Sequence, residues 1–179
     1  MKKILSFLAI TAVAVLGLTS CDPETDVSAG GTAVKDMAGL WDAQVDVMEL
    51  TEDGDTIHYG DIYDWGTFQF YTYNTADNSS HTIWVDDKDW NYPDYSYYGF
   101  WGVKVEVNCN LSTLTFSGND VPNVYDSEET CKVTGKVFPN GATNMHGMPN
   151  DSICIDFEFD TDPGVIYRYA GQRYTGFYE

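Results

Sequence analysis

Ser152 directly follows Asp151, and His146 stands six residues upstream in a Gly- and Asn-rich stretch. A hydroxyl, an imidazole and a carboxylate are the parts of acyl-transfer chemistry: a nucleophile, a base to take its proton and an acid to orient the base. They act only if the fold brings them into one cleft. No Gly-x-Ser-x-Gly turn surrounds any serine of the chain, and a serine that opens a strand more often serves the preceding turn. His58 and His81 are isolated in sequence, and Cys131 with Cys154 gives no metal-ligand spacing. The 28 acidic residues are too many for any two to be singled out as a glycosidase pair. No metal or cofactor is expected, and catalysis through Ser152, His146 and Asp151 is the weakest reading.

A second reactive group lies near the N-terminus. Lys2 and Lys3 precede an apolar run from Ile4 to Leu18, which has the build of a signal peptide and is short for a membrane span. The run ends in Leu18-Thr19-Ser20-Cys21. That tetrad resembles a lipobox, in which the cysteine thiol is acylated and becomes the first residue after cleavage. The expectation is a signal peptide over 1–20, a lipid on Cys21, and a tether over 21–36, whose residues are small and polar. Residues 37–179 form the domain.

Charge narrows the partners. Residues 1–20 hold two of the nine basic groups and none of the 28 acidic ones, so the remainder carries −21. Such a surface repels nucleic acid and anionic headgroups. The acidic side chains show no EF-hand spacing, and Glu52-Asp53-Gly54-Asp55 reads as a hairpin turn. With Cys21 acylated, Cys109, Cys131 and Cys154 remain, an odd number. Alternation puts Cys109 and Cys131 on apolar faces and Cys154 on the face of Asp156 and Glu158. At most one disulfide is expected.

The elements that would position these groups are strands. Period-two alternation runs through 43–47, 65–74, 81–85, 102–111, 114–118, 130–138, 152–159 and 166–177. Turn signals such as Asn78-Ser79, Asn140-Gly141 and Pro163-Gly164 fall between them, and no window carries a capped helical stripe. The fold class is all-β: a single eight-stranded antiparallel up-and-down barrel, with a two-sheet sandwich as the alternative. Aromatics are unevenly placed. Fourteen lie within residues 63–101, and Asp89–Trp101 alone holds Trp90, Tyr92, Tyr95, Tyr97, Tyr98, Phe100 and Trp101. These rings either close one end of the barrel or line a binding mouth. Phe70, Tyr71, Trp84 and Trp101 are the candidate ligand-lining residues, from strand position and size.

Several separated blocks have a family look: Met37-Ala38-Gly39-Leu40-Trp41, Tyr73-Asn74-Thr75-Ala76-Asp77-Asn78, Ile83-Trp84-Val85-Asp86-Asp87, Phe100-Trp101-Gly102-Val103-Lys104 and Gly135-Lys136-Val137. The C-terminal set comprises Asp151-Ser152-Ile153, Asp160-Thr161-Asp162-Pro163-Gly164 and Gly171-Gln172-Arg173-Tyr174-Thr175-Gly176-Phe177. Together they resemble the lipid-binding putative hydrolases, Gram-negative lipoproteins with a lipocalin-like (calycin-like) barrel. Gly39-Leu40-Trp41 is also similar to the Gly-x-Trp that opens lipocalins, whose Trp plugs the barrel base beneath an arginine of the last strand. Arg173 and Arg168 are the candidates for that arginine, with Arg173 over Trp41 preferred. The resemblance implies no catalytic residues.

The reading is therefore a monomeric lipoprotein of the cell envelope, in the outer membrane and with surface exposure open to it. It would bind a small hydrophobic or amphipathic ligand in the barrel without chemistry. Asp22, Glu24 and Asp26, just after the anchor, resemble an acidic surface-export signal. The alternatives are a surface accessory that meets a glycan or partner through its aromatics, and a hydrolase of lipid-like esters.

Overall fold

In strand after strand, alternate side chains turn toward the same interior. The computed structural model describes residues 30–87 and 100–176, and its compact unit begins at Thr32. Nine strands follow in chain order: β1 (Gly39–Leu50), β2 (Thr56–Gly60), β3 (Phe68–Asn74), β4 (Thr82–Asp86), β5 (Lys104–Asn110), β6 (Thr115–Pro122), β7 (Thr130–Thr143), β8 (Pro149–Phe159) and β9 (Val165–Arg173). Their alternation is plainest in β7 and β8. Val133 and Val137 are buried while Lys132 and Lys136 are exposed, and Ile153, Ile155, Phe157 and Phe159 all turn inward.

All pairings are antiparallel, in the order β2-β1-β3-β4-β5-β6-β7-β8-β9, and β1 also pairs with β9 from Trp41↔Arg173 to Glu49↔Val165. The sheet thus closes on itself as an eight-stranded barrel, and closure removes the free edges that an open sheet exposes. β2 stands outside the ring. One edge of β1 is shared: its lower half pairs with β3 at Gly39–Ala43, its upper half with β2 at Val47–Leu50. A register shift between Val47 and Met48 lies within the β2 pairing, and these neighbours are both buried. β2 has no alternating burial, with four of its five residues exposed, which is why periodicity does not reveal it.

Aromatic rings fill the interior. Phe68, Phe70, Phe157, Phe159, Tyr167 and Tyr169 are all buried, and burial of each ring contributes roughly 1.5–3 kcal/mol. Tyr169 sits among them, 4.8 Å from Phe68 and 4.9 Å from Phe157 between centroids. Two glycines make room. Gly135 lies opposite Phe116, whose ring covers it, and Gly171 lies so close to Asp42 and Ala43 of β1 that a Cβ would strike backbone.

The lower end is plugged. Trp41 is fully buried, and its indole N–H donates to Thr72 Oγ1 at 2.8 Å, which donates on to the Met37 carbonyl at 2.6 Å. Arg173 Cζ lies 4.4 Å from the Trp41 ring centroid, a cation–π arrangement. The guanidinium also donates to Asp151 and to the carbonyls of Ala38 and Asp36. Arg168 is engaged elsewhere, holding Asp156 through two bonds of 2.7 and 2.8 Å.

Residues 33–36, expected within the tether, belong to the compact unit. Val34 is fully buried in the core with Met37, and Ala33 N–H donates to Asn78 Oδ1, because the turn at residues 33–37 lays an apolar pair against the barrel. Residues 1–20, Cys21 and most of the tether lie outside the described residues, as do 88–99 and 177–179.

Candidate functional site: the aromatic end of the barrel

β4 continues its alternation past its last bonded residue: Ile83 and Val85 point inward, and so does Asp87. Asp87 is fully buried at the end of the barrel opposite the plug. Its Oδ2 accepts the backbone N–H groups of Phe100 (3.2 Å) and Trp101 (2.9 Å) and the hydroxyl of Tyr169 (2.8 Å). Its Oδ1 accepts those of Gly102 (3.1 Å) and Val103 (2.5 Å). Four successive N–H groups therefore converge on one carboxylate, and Gly102, at φ +86°, permits the turn. Burial pushes the Asp87 carboxyl up to about 6, with the donors acting against it. Burial and the neighbouring Asp87 raise the Tyr169 hydroxyl well above its ordinary value. The arrangement pins Phe100 and Trp101 across the end of the barrel.

A second buried carboxylate fixes the Trp101 side chain. Its indole N–H donates to Glu129 Oε1 at 3.2 Å, and Glu129 also accepts from Asn123 (2.9 Å) and Thr161 (3.0 Å). The ring stacks on Phe159 at 4.9 Å and lies 4.8 Å from Tyr167. Phe100 continues the cluster outward, 5.5 Å from Tyr63 and 5.8 Å from Trp65. Tyr63 and Trp65 are each about half exposed, as are Tyr59 and Ile62. Between this rim and the upper ends of β1 and β9 lies a cavity of ≈ 230 Å³, reaching Tyr59, Tyr63 and Tyr167.

The four candidate lining residues do not converge. Phe70 is buried inside the barrel, 5.8 Å from Tyr169, and Trp101 sits at the aromatic end. Tyr71 and Trp84 alternate with inward residues and occupy the outer face, in an arrangement joined by Tyr73, Asp86 and Lys104. There Asp86 accepts the hydroxyls of Tyr73 (2.7 Å) and Tyr125 (2.8 Å), and Lys104 Nζ lies 5.2 Å from the Trp84 centroid. Desolvation and Asp86 raise both phenol pKa values. Of the segment 89–101, only Phe100 and Trp101 fall within the described residues.

The acyl-transfer candidates lie near the plugged end. Asp151 is held by Arg173 Nε (3.2 Å) and the Asn140 N–H (3.0 Å). Ser152 pairs with Phe138 and Gln172 across the sheet, its hydroxyl against Gly141, and His146 is exposed in the β7–β8 turn. The described cysteines 109, 131 and 154 are free thiols. Cys154 stands opposite Lys136 and Cys131 opposite Phe159, several rungs apart. Asp87, Glu129, Tyr63 and Tyr167 are site residues that sequence reasoning missed. For Asp87 a signal existed: continuing the Ile83, Val85 alternation places it inside.

An antiparallel eight-stranded barrel is just wide enough to be filled by side chains or to hold one small ligand, and this one has a Trp–Arg plug at one end and an aromatic rim at the other. Among curated proteins no relative matches the chain. A family model does: the chain belongs to the family described as lipid-binding putative hydrolase, which matches residues 26–178.

Proposed function

We propose that the protein is a cell-envelope lipoprotein, anchored through Cys21, that binds a small hydrophobic or amphipathic ligand without transforming it. Membership of a lipid-binding family and a closed barrel fit ligand binding. The observation that carries the placement is the asymmetry of the barrel's ends. One is sealed by Trp41 and Arg173, whereas the other presents Tyr63, Trp65, Phe100 and Trp101, and a cavity opens beside them at Tyr59, Tyr63 and Tyr167. With the interior filled by Phe and Tyr rings, the ligand contacts are assigned to this rim.

Native mass spectrometry tests the reading, on the chain lacking residues 1–21 and purified without detergent from its own host. A stoichiometric adduct of lipid mass is the expected result. A clean apo mass, unchanged after incubation with host lipids, refutes it. Anchoring is tested separately by incorporation of labelled fatty acid, expected for the native chain and lost in Cys21→Ala.

A second reading has its own support. Leu50, Ile57, Tyr59, Ile62, Tyr63 and Trp65 are each exposed on β1, β2 and the residues that follow, and Tyr59, Ile62 and Tyr63 share the cavity wall. Large exposed apolar patches mark interaction sites, so an accessory that meets a glycan or another protein through this surface is the alternative. Retention on immobilised host glycans, abolished by Trp65→Ala, would favour it. A hydrolase of lipid-like esters ranks third, resting on the family's description alone.

A further inference from the structure

The cavity at the rim has a definite chemical character. Its polar walls are Glu49, Asp162 and the three tyrosines Tyr59, Tyr63 and Tyr167, and Val47, Met48 and Val165 supply apolar surface. Among the described residues, no Lys, Arg or His lines it. Tyr59 donates its hydroxyl to Glu49 Oε2 at 2.7 Å, and Tyr167 donates to Asp162 Oδ2 at 2.5 Å. Each bond spends a phenolic proton on a carboxylate. What the two carboxylates still offer a ligand is acceptor capacity and negative charge.

That combination selects among ligands. An anionic group would meet two carboxylates in a chain of net charge −19. A neutral sugar hydroxyl both gives and takes hydrogen bonds, and here two of the three phenols already donate to the carboxylates. An ammonium group only donates, is attracted by the carboxylates, and is favoured beside aromatic rings. The apolar wall then requires a hydrocarbon stem. At ≈ 230 Å³ the cavity is smaller than the roughly 300–1,000 Å³ of pockets that enclose whole drug-sized ligands. That is room for a head and its first methylenes, with the exposed Ile62 and Tyr63 at its edge to meet a longer chain.

We infer that this cavity binds a positively charged ammonium group carried on an apolar stem. The inference rests on the ligand-binding reading and adds the sign of the ligand's charge. Free cationic amphiphiles and ammonium-bearing lipid headgroups share this chemistry.

The test is isothermal titration of the chain from Asp22 with dodecyltrimethylammonium, dodecyl maltoside and dodecyl sulfate, each below its micelle concentration. Choline-headed lysolipid is a fourth arm, separating a headgroup from a free cation. The cationic probe is expected to bind about tenfold tighter than the neutral one, the ratio that one modest charge-assisted contact supplies. Paired Glu49→Gln and Asp162→Asn should remove that advantage, bringing the cation and maltoside affinities together. Glu52→Gln with Asp53→Asn changes net charge equally at an exposed turn outside the cavity, and should keep the advantage.

If the neutral or anionic probe binds as well as the cation, the charge assignment fails and the ligand-binding reading survives. Equal loss in both variant pairs makes the preference a property of overall charge and overturns the site. If no amphiphile binds, both readings fall.

Discussion

Replacing Asp87 by asparagine tests how the aromatic end is held. The carboxyl moves from an ordinary value of 3.8 to about 6 in the fold, because burial penalises its charged form more than the five donors favour it. A raised pKa means that the folded chain binds the proton more tightly than the unfolded chain. This group's contribution is therefore full below pH 3.8 and is lost as pH rises through about 6. The total is about 3 kcal/mol, of which roughly half disappears between pH 5 and pH 8. The amide introduced by Asp87→Asn does not titrate. Its NH₂ would face N–H groups instead of accepting from them, so the variant should be less stable throughout, by at least about 2 kcal/mol. The gap to the native chain should narrow by about 1–2 kcal/mol from pH 5 to pH 8. Urea unfolding followed by tryptophan fluorescence at unit pH steps measures it, and the other acidic residues largely cancel in the difference. A constant gap would mean that the backbone donors outweigh burial and hold the carboxylate ionised across this range. A widening gap would refute the electrostatic argument altogether.

Three further outcomes follow from the packing. Gly171→Ala drives a methyl into the backbone of Asp42 and Ala43. It should cost about 2 kcal/mol, seen as a fall of about 4–8 °C in Tm. Arg173→Met removes the cation over Trp41 and the donors to Asp151 and Ala38. A loss of about 1–3 kcal/mol is expected, and Arg173→Lys should recover little of it, since an ammonium lacks the planar fork. A thermal melt of the three proteins decides. The Cys131 thiol is pushed up to about 12 by burial, with Glu129 and Asp160 adding to it. At pH 8 only about 10⁻⁴ of it is thiolate, so in native alkylation followed by mass spectrometry it should react far more slowly than after unfolding.

The strands are legible in the sequence, their faces less so. In β7 and β8 one face is aliphatic or aromatic and the other polar, so alternation assigns the interior unaided. In β3 both faces carry rings, with Phe68 and Phe70 inward and Tyr71 and Tyr73 outward, and in β4 Trp84 sits between Ile83 and Val85. Size cannot choose a face there, so it groups Tyr71 and Trp84 with Phe70. β2 escapes notice because nothing buries it from one side. Closure depends on β1 meeting β9 across more than a hundred residues, and alternation alone is the same in a barrel and a sandwich. Asp87 is hidden for a related reason. An aspartate after a strand reads as a turn, and the four N–H groups that justify its burial come from residues 100–103.

The two buried carboxylates bear on where a ligand can sit. A guest inside the barrel would have to displace rings that interlock with Tyr169, and to reach them it must pass Phe100 and Trp101. Those two residues are held by Asp87 through their backbone and, for Trp101, by Glu129 through the indole. Moving them would strip donors from buried carboxylates, at about 1–3 kcal/mol for each group left unpaired. Tyr63 and Trp65, by contrast, are half exposed and lean on the outer side of Phe100. A ligand that rearranges only these exposed rings meets the smaller cost. The physical chemistry of the end thus weighs against enclosure in the barrel and is consistent with the proposed placement of the ligand at the rim.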